Sequence, residues 1–308
     1  MRVGTRVGTS VDRALEILRG GGLVAIPTET VYGLAGDASN EAAVRRIFAA
    51  KGRPADHPLI VHVATPEQLP DWAASVPPAA AVLAGTCWPG PLTLLVPKAA
   101  HVLPVVTGGR PTVGVRVPAH PLTTELLARF GGGLAAPSAN RFGKVSPTTA
   151  AHVAGDLGEL VDYVLDGGPC PVGVESTIVD CTVVPPQILR PGGIGSEEIA
   201  ALLGGDVAPA GGPSRAPGML ASHYAPTARV VLVDDAAEAV EAQAAAGGVD
   251  GAWILDRSDD LVDYAHSLYA DLRAADERGV SVVVAVLPPA HGLGHAIRDR
   301  LTKAAAAR

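Results

Sequence analysis

Cysteine is scarce in this chain of 308 residues. Cys87, Cys170 and Cys181 form no CxxC pair and no zinc-ligand spacing, which excludes a disulfide framework and a cysteine-based metal centre. Free thiols packing as small hydrophobes are expected, in a reducing compartment. Aromatics are only 4% against 48% hydrophobic residues, so the core must come from Val, Leu, Ile and Ala. No run approaches the roughly 18 apolar residues of a membrane helix. The first twenty residues hold no continuous apolar stretch of signal-peptide length. A cytoplasmic protein without membrane contact is the expectation. A basic excess is also missing: the formal charge is −7, with 15 Lys and Arg against 17 Asp and Glu in residues 1–204 and 8 against 13 in 229–308. That balance excludes broad electrostatic binding of nucleic acid but leaves room for a local anion pocket. GxxxxGK[ST], HExxH, GxSxG and the EF-hand loop are absent, so any phosphate site must be built in another way.

What is present is an α/β pattern. Ser10 caps a helix with Ala14, Leu15 and Leu18 on one face, ended by three glycines at 20–22. A buried strand over 23–26 leads into a polar loop, PTETVYG, at 27–33. Asn40 caps a second helix that brings Lys51 and Arg53 to its C-terminal end. Further strands are expected over 59–63, 92–96, 112–117, 134–136, 163–165, 177–179 and 187–189, with helices over 121–130, 148–157 and from about Ser196. Mixed strands and helices predict a twisted mixed sheet with flanking helices in a domain of residues 1–204. Residues 205–228, rich in Gly and Pro, read as a linker with no helix or strand period. Three strand–helix units then fill 229–308 and predict a small parallel, Rossmann-like α/β domain.

Several polar residues fall at strand ends and the loops beside them, where such sheets bind ligands. Lys-Gly-Arg at 51–53 is an ordinary solvated helix end when taken alone. Followed by Pro54 and a strand, and joined by a second polar run at Ser138-Ala139-Asn140, it suits a polyanion such as a nucleoside triphosphate. His62 interrupts an apolar strand, and Arg116 lies inside another, on the face it shares with Thr112 and Gly114. A buried guanidinium needs a carboxylate, from the protein or from a substrate. Ser146 precedes Pro147 and could simply cap the next helix; Ser176 opens a strand and Arg190 closes one.

These runs, in order, resemble the threonylcarbamoyl-AMP synthases built on the YrdC-type fold. The carriers are PTETVYGL at 27–34, KGRP at 51–54, PLIVHV at 58–63, WPGPLT at 88–93, VRVP at 115–118, PSAN at 137–140, ESTIVD at 175–180 and LRPG at 189–192. PGM at 217–219 with HYAP at 223–226, and GLGHAIRDRL at 292–301, resemble the linker and appended C-terminal domain of the long form. The resemblance implies a nucleotidyltransferase that makes L-threonylcarbamoyladenylate and pyrophosphate from L-threonine, bicarbonate or CO2, and ATP. The product would pass to the tRNA threonylcarbamoyltransferase machinery, without stable nucleic-acid binding by this chain. It implies a phosphate-site set of Lys51, Arg53, Ser138 and Asn140; further ATP contacts from His57, Thr112, Ser146, Arg190 and Tyr224; and a threonine site of Thr30, His62, Arg116, the Ala136 backbone and Ser176. His57 departs from the Asn common at that place. No protein ligand for a metal is identified; Mg2+ is expected to arrive on the ATP phosphates. The linker is expected to lie over the site as a lid. Three other readings stay open: a carbamoyl-transfer module of the same fold, an RNA-binding protein, and a hydrolase using Ser138 or Ser176, for which no base can be placed beside either serine.

Overall fold

The computed structural model describes residues 6–212, 215–219 and 222–306, so positions 213, 214, 220 and 221 of the expected linker lie outside the described residues. Eleven strands form the larger sheet: β1 (Val7–Gly8), β2 (Val24–Ile26), β3 (Gly33–Asp37), β4 (Ile60–His62), β5 (Leu92–Pro97), β6 (Thr112–Arg116), β7 (Leu134–Ala135), β8 (Tyr163–Leu165), β9 (Thr177–Asp180), β10 (Gln187–Arg190) and β11 (Ala208–Pro209). Their order is β1-β8-β2-β3-β7-β4-β6-β5-β9-β10-β11, with parallel and antiparallel pairs mixed. β11 is a correction: the linker, read as structureless, adds a short parallel edge strand beside Gln187 and Ile188. Backbone pairing at an open edge needs no side-chain period, so the sequence carried no sign of it.

Helices α1 (Val11–Arg19), α2 (Glu41–Lys51), α3 (Leu69–Trp72), α4 (Pro78–Cys87), α5 (Pro104–Thr107), α6 (Pro121–Phe130), α7 (Ala150–Leu157) and α8 (Ser196–Leu203) accompany this sheet. Ser10 and Asn40 cap α1 and α2 as expected, each accepting from backbone N–H groups of the first turn. Thr149, and not Ser146, caps α7. Around β2 the residues alternate: Val24 and Ile26 join the cluster of α1 and α6, while Leu23 and Ala25 belong to the cluster on the other face that includes α2. β3 escapes the sequence pattern because Gly33 and Gly36 lower strand propensity. A Cβ at Gly36 would lie 3.1 Å from Leu23 and 3.2 Å from Ile47, so its absence lets α2 close on the sheet.

α1 and α6 cover only part of their face. Over β4, β6, β5 and β9 that face carries Ile60, His62, Gly114, Arg116, Leu95 and Ile178, roofed by the linker through Ala216 and Met219. The uncovered stretch is the floor of the site, which therefore occupies a sheet face as well as strand ends.

The second sheet is parallel, in the order β12 (Arg229–Val233), β14 (Val282–Val286), β13 (Ala252–Leu255), with helices α9 (Ala236–Ala245), α10 (Leu261–Arg278) and α11 (Leu293–Ala305). α10 and α11 dock on the first unit. Val31, Val145 and Val174 share one apolar cluster with Tyr269, Leu272, Ile297 and Leu301. Among the described residues no helix is long and apolar enough to cross a membrane.

Candidate active site

One cavity gathers most of the polar residues singled out above. One end rests on β4 and β6, where His62 and Arg116 are direct register partners in a parallel pair and so project side by side. Arg116 is buried. Its Nε donates to the Gly90 carbonyl at 3.2 Å and its Nη2 to Thr30 Oγ1 at 2.9 Å, while Glu29 Oε1 lies 2.7 Å from Nη2. Glu29 Oε2 accepts from the Ala119 N–H at 3.0 Å. The carboxylate that a buried Arg116 required is thus Glu29. The 27–33 loop is itself buried, with Thr28 Oγ1 donating to the Val31 carbonyl at 2.6 Å. His62 is held down to about 3 by burial, with Arg116 adding to the effect, so the ring is neutral. Its Nδ1 is buried without a partner among the described residues.

The opposite end is cationic. Arg53 follows the C-cap Gly52, which takes the left-handed conformation that ends α2. Arg53 Nη2 donates to the Pro58 carbonyl at 3.0 Å, its Nε has no partner among the described residues, and burial pushes it down to about 10. Arg190 follows a register shift between β9 and β10, a bulge that re-aims its side chain inward. Its Nε and Nη2 donate to the Ser176 carbonyl at 3.1 and 2.8 Å, and Nη2 also to Ser176 Oγ at 3.0 Å. Ser176 Oγ is 2.8 Å from Thr93 Oγ1.

The linker closes the cavity. Tyr224 is buried at a positive φ of 62°, and its ring meets His223 at 4.2 Å, Tyr269 at 5.8 Å and the Arg300 guanidinium at 5.0 Å. His223 is buried, its Nδ1 has no partner among the described residues, and burial holds it down to about 3. Gly218 has a φ of +83°, and a Cβ there would lie 2.7 Å from Arg190 Cδ and 2.9 Å from Tyr224 Oη. Only glycine lets the linker lie this close to Arg190. About 50 Å³ of free space remains in the cavity. A nucleotide-sized ligand takes several hundred Å³. A larger space of about 480 Å³ lies on the other side of Met219, walled mostly by apolar residues such as Ile188 and Ile194. It holds none of the clustered polar groups described here.

Of the expected site residues, Thr30, Arg53, His62, Arg116, Ala136, Ser138, Ser176, Arg190 and Tyr224 line this cavity. Ala136 gives its N–H to the Ile60 carbonyl, leaving its own carbonyl to offer. Lys51 and Asn140 come together but face each other's loop. Lys51 Nζ donates to the Ser138 and Asn140 carbonyls at 2.5 and 2.6 Å, and the Asn140 amide donates to Arg141 and Lys144 carbonyls at 2.9 and 2.7 Å. Burial, with Arg53 nearby, pushes the Lys51 ammonium well down. Ser146 donates to Glu175 Oε1 at 2.6 Å. His57 packs edge-on against Phe142 at 5.3 Å, outside the cavity wall. Thr112 shares Arg116's face but lies four residues upstream, about 13 Å along the strand. Glu29, Glu175, His223 and Arg300 were not picked out as site residues. All four lie within the quoted runs; Arg300's role depends on a partner 125 residues away.

The site is thus a buried cavity on the sheet face of an α/β protein, with an ion-paired arginine at one end and cationic groups that suit a polyanion at the other. The family model Sua5_yciO_yrdC, described as telomere recombination, matches residues 16–192, and a second, described as the threonylcarbamoyl-AMP synthase C-terminal domain, matches 194–306. The threonylcarbamoyl-AMP synthase of Pyrococcus abyssi is 42% identical, over 96% of this chain and 94% of the relative. That of Bacillus subtilis is 41% identical, over 97% and 93%. The crystal structure of P. abyssi Sua5 complexed with L-threonine superposes with a TM-score of 0.91 at 40% identity, covering 98% of this chain and 97% of the other. The chain belongs to the threonylcarbamoyl-AMP synthase family.

Proposed function

We propose that this protein makes L-threonylcarbamoyladenylate and pyrophosphate from L-threonine, bicarbonate or CO2, and ATP, supplying the activated carbamate for tRNA threonylcarbamoyladenosine synthesis. The observation that carries the reading is the pairing, in one buried cavity, of the Glu29–Arg116 centre with the Arg53–Arg190 end.

The chemistry asks for little covalent work. The threonine amine captures CO2 as a carbamate and releases a proton. A carbamate oxygen then attacks the α-phosphorus, and pyrophosphate leaves with the electrons of the broken P–O bond. The protein holds two anions in line and neutralises the charge that moves to the leaving group. Arg116 would hold the threonine carboxylate, with Glu29 keeping the guanidinium neutralised when no substrate is present. Neutral His62 offers one donor and one acceptor to the amino acid. Arg53 and Arg190 would face the phosphates, and Lys51 would fix the Ser138–Asn140 loop against them. Mg2+ on the ATP would screen phosphate charge. The acids at hand fit delivery on the nucleotide: Glu29 and Glu175 are committed to Arg116 and Arg300, and no metal-sized His, Cys, Asp or Glu cluster occurs among the described residues. The linker, which leaves about 50 Å³, withdraws to admit ATP and then returns to keep water from the labile adenylate.

Pyrophosphate release is measured with ATP, L-threonine and bicarbonate, omitting each in turn. Release should require all three, and label from [14C]bicarbonate should appear in the adenylate. Release that ignores threonine sinks the reading.

A further inference from the structure

Two buried hydroxyls meet beneath the cavity. Thr93 Oγ1 of β5 lies 2.8 Å from Ser176 Oγ. Thr93 stands in register with Ile178 of β9, and a Cβ on Gly114 would come within 3.3 Å of its methyl group, so its side chain belongs to the face that floors the site. The pairing of Leu94 with Val115 puts Thr93 opposite Arg116 on the neighbouring strand. From the other side, Arg190 Nη2 donates to Ser176 Oγ at 3.0 Å. Ser176 therefore stands between the arginine of one end of the cavity and an arginine of the other.

The direction of the bond between the two hydroxyls follows from counting protons. Each hydroxyl has one proton and two lone pairs. Among the described residues neither hydroxyl has a partner beyond those just named, so of the two protons one is shared and one is spare. If Ser176 donated to Thr93, the spare proton would be that of Thr93, which is fully buried and does not line the cavity. A buried donor left without an acceptor bears the whole cost of its lost hydration. If Thr93 donates, the spare proton is that of Ser176, which does line the cavity and can give it to a ligand. The second arrangement wins. Ser176 then accepts from Arg190 and from Thr93, has no lone pair left, and can only donate. We propose that Thr93 is a positioning residue that makes Ser176 an obligate donor to an anionic oxygen of the threonine substrate. Such an oxygen belongs to the carboxylate, or to the carbamate formed when the amine captures CO2; the amine itself, a donor, finds nothing to bond at Ser176. The proposal rests on the adenylation reading above.

Thr93→Val keeps the shape of the side chain and removes its proton. Ser176 then regains a lone pair, and its own proton is no longer held toward the ligand. Binding of the anionic oxygen should weaken roughly fivefold. Thr93→Ser restores the donor and should stay within about twofold of wild type. Ser176→Ala removes a hydrogen bond to a charged group and should cost roughly thirtyfold. Because Thr93 acts only through Ser176, adding Thr93→Val to Ser176→Ala should cost nothing more.

The experiment measures the Kd for L-threonine by calorimetry in CO2-depleted buffer, and the KM for bicarbonate and for ATP by pyrophosphate release, in the full chain and the four variants. A raised threonine Kd supports the proposal and identifies the carboxylate. A raised bicarbonate KM with the threonine Kd within about twofold supports it and identifies the carbamate. Thr93→Val that leaves both unchanged overturns the proposal, as does a rise confined to ATP. So does Thr93→Ser behaving as badly as Thr93→Val, or a further loss when Thr93→Val is added to Ser176→Ala. If Ser176→Ala fails to fold, the contrast of Thr93→Val with Thr93→Ser decides alone; if Thr93→Val fails, Thr93→Ala takes its place. Wild-type protein that releases no pyrophosphate in response to threonine removes the adenylation reading itself, a result distinct from active wild type with unaffected variants.

Discussion

Acidifying the enzyme from pH 8 to pH 5 is expected to release the linker through His223. In the closed structure the imidazole is held down to about 3, first by burial and further by Lys51, Arg53 and Arg300, against a partial pull upward from Glu175. Once the linker lifts, the ring meets water and returns to the ordinary histidine value of 6.5. The open state then binds a proton that the closed state refuses. Closure is therefore fully supported above pH 6.5 and weakens as the pH falls from there toward 3. At pH 5 the gap of 1.5 units below the exposed value shifts the open-to-closed ratio by roughly thirtyfold, about 2 kcal/mol. The probe is amide hydrogen exchange at residues 222–227, corrected for the intrinsic pH dependence of exchange, in wild type and His223→Gln. Wild-type linker amides should exchange faster at pH 5 by about the computed ratio, and His223→Gln should lose the response. An imidazole that titrates near 6.5 in the ligand-free enzyme by NMR, or a wild-type linker that exchanges alike at both pH values, refutes the reasoning.

Three further outcomes are expected. Lys51→Met leaves the Ser138 and Asn140 carbonyls without their donor, so it should cost on the order of 2–5 kcal/mol in urea unfolding and at least a hundredfold in adenylate formation; near-normal values for both would remove its loop-fixing role. Glu29→Gln strips Arg116 of its buried partner, which should lower the melting temperature of the free enzyme while enlarging the upward shift produced by L-threonine; an equal or smaller shift would mean Arg116 does not meet the substrate carboxylate. Gly218→Ala cannot keep a φ of +83° beside Arg190 without strain, so linker amides should exchange faster while the melting of the two sheets changes little. Unaltered linker exchange would mean that the closed position tolerates a side chain there.

The elements legible in the sequence were those whose local signals agree with their environment. Ser10 and Asn40 stand as caps before periodic apolar runs, and the strand–helix alternation after 229 matches the three-stranded parallel sheet. β3 was invisible because its two glycines are there for the close packing of Ala136, Leu23 and Ile47, a tertiary demand. α4 went unread because its Ala-rich sequence has no apolar stripe, although Ala80 and Leu83 are buried. In the site, cations and hydroxyls drew attention because an anion pocket calls for them. Glu29 and Glu175 did not, because a carboxylate in such a pocket makes sense only once its arginine is in view, and those arginines lie 87 and 125 residues further along the chain. The placement of Lys51 and Asn140 as a clamp on their own loop was likewise beyond reach, since carbonyl partners leave no mark in a sequence.

The apolar cluster that joins Val31, Val145 and Val174 to Tyr269, Leu272 and Ile297 bears on how the molecule comes apart. Its members belong to both units, so neither can melt without exposing part of the other's interior. Heat or denaturant should therefore give one cooperative transition, with calorimetric and van't Hoff enthalpies in agreement, where a chain with two sheets would ordinarily show two. For the same reason a catalytic unit produced alone would present a sticky face where α10 and α11 had been, and would self-associate unless that face were made polar.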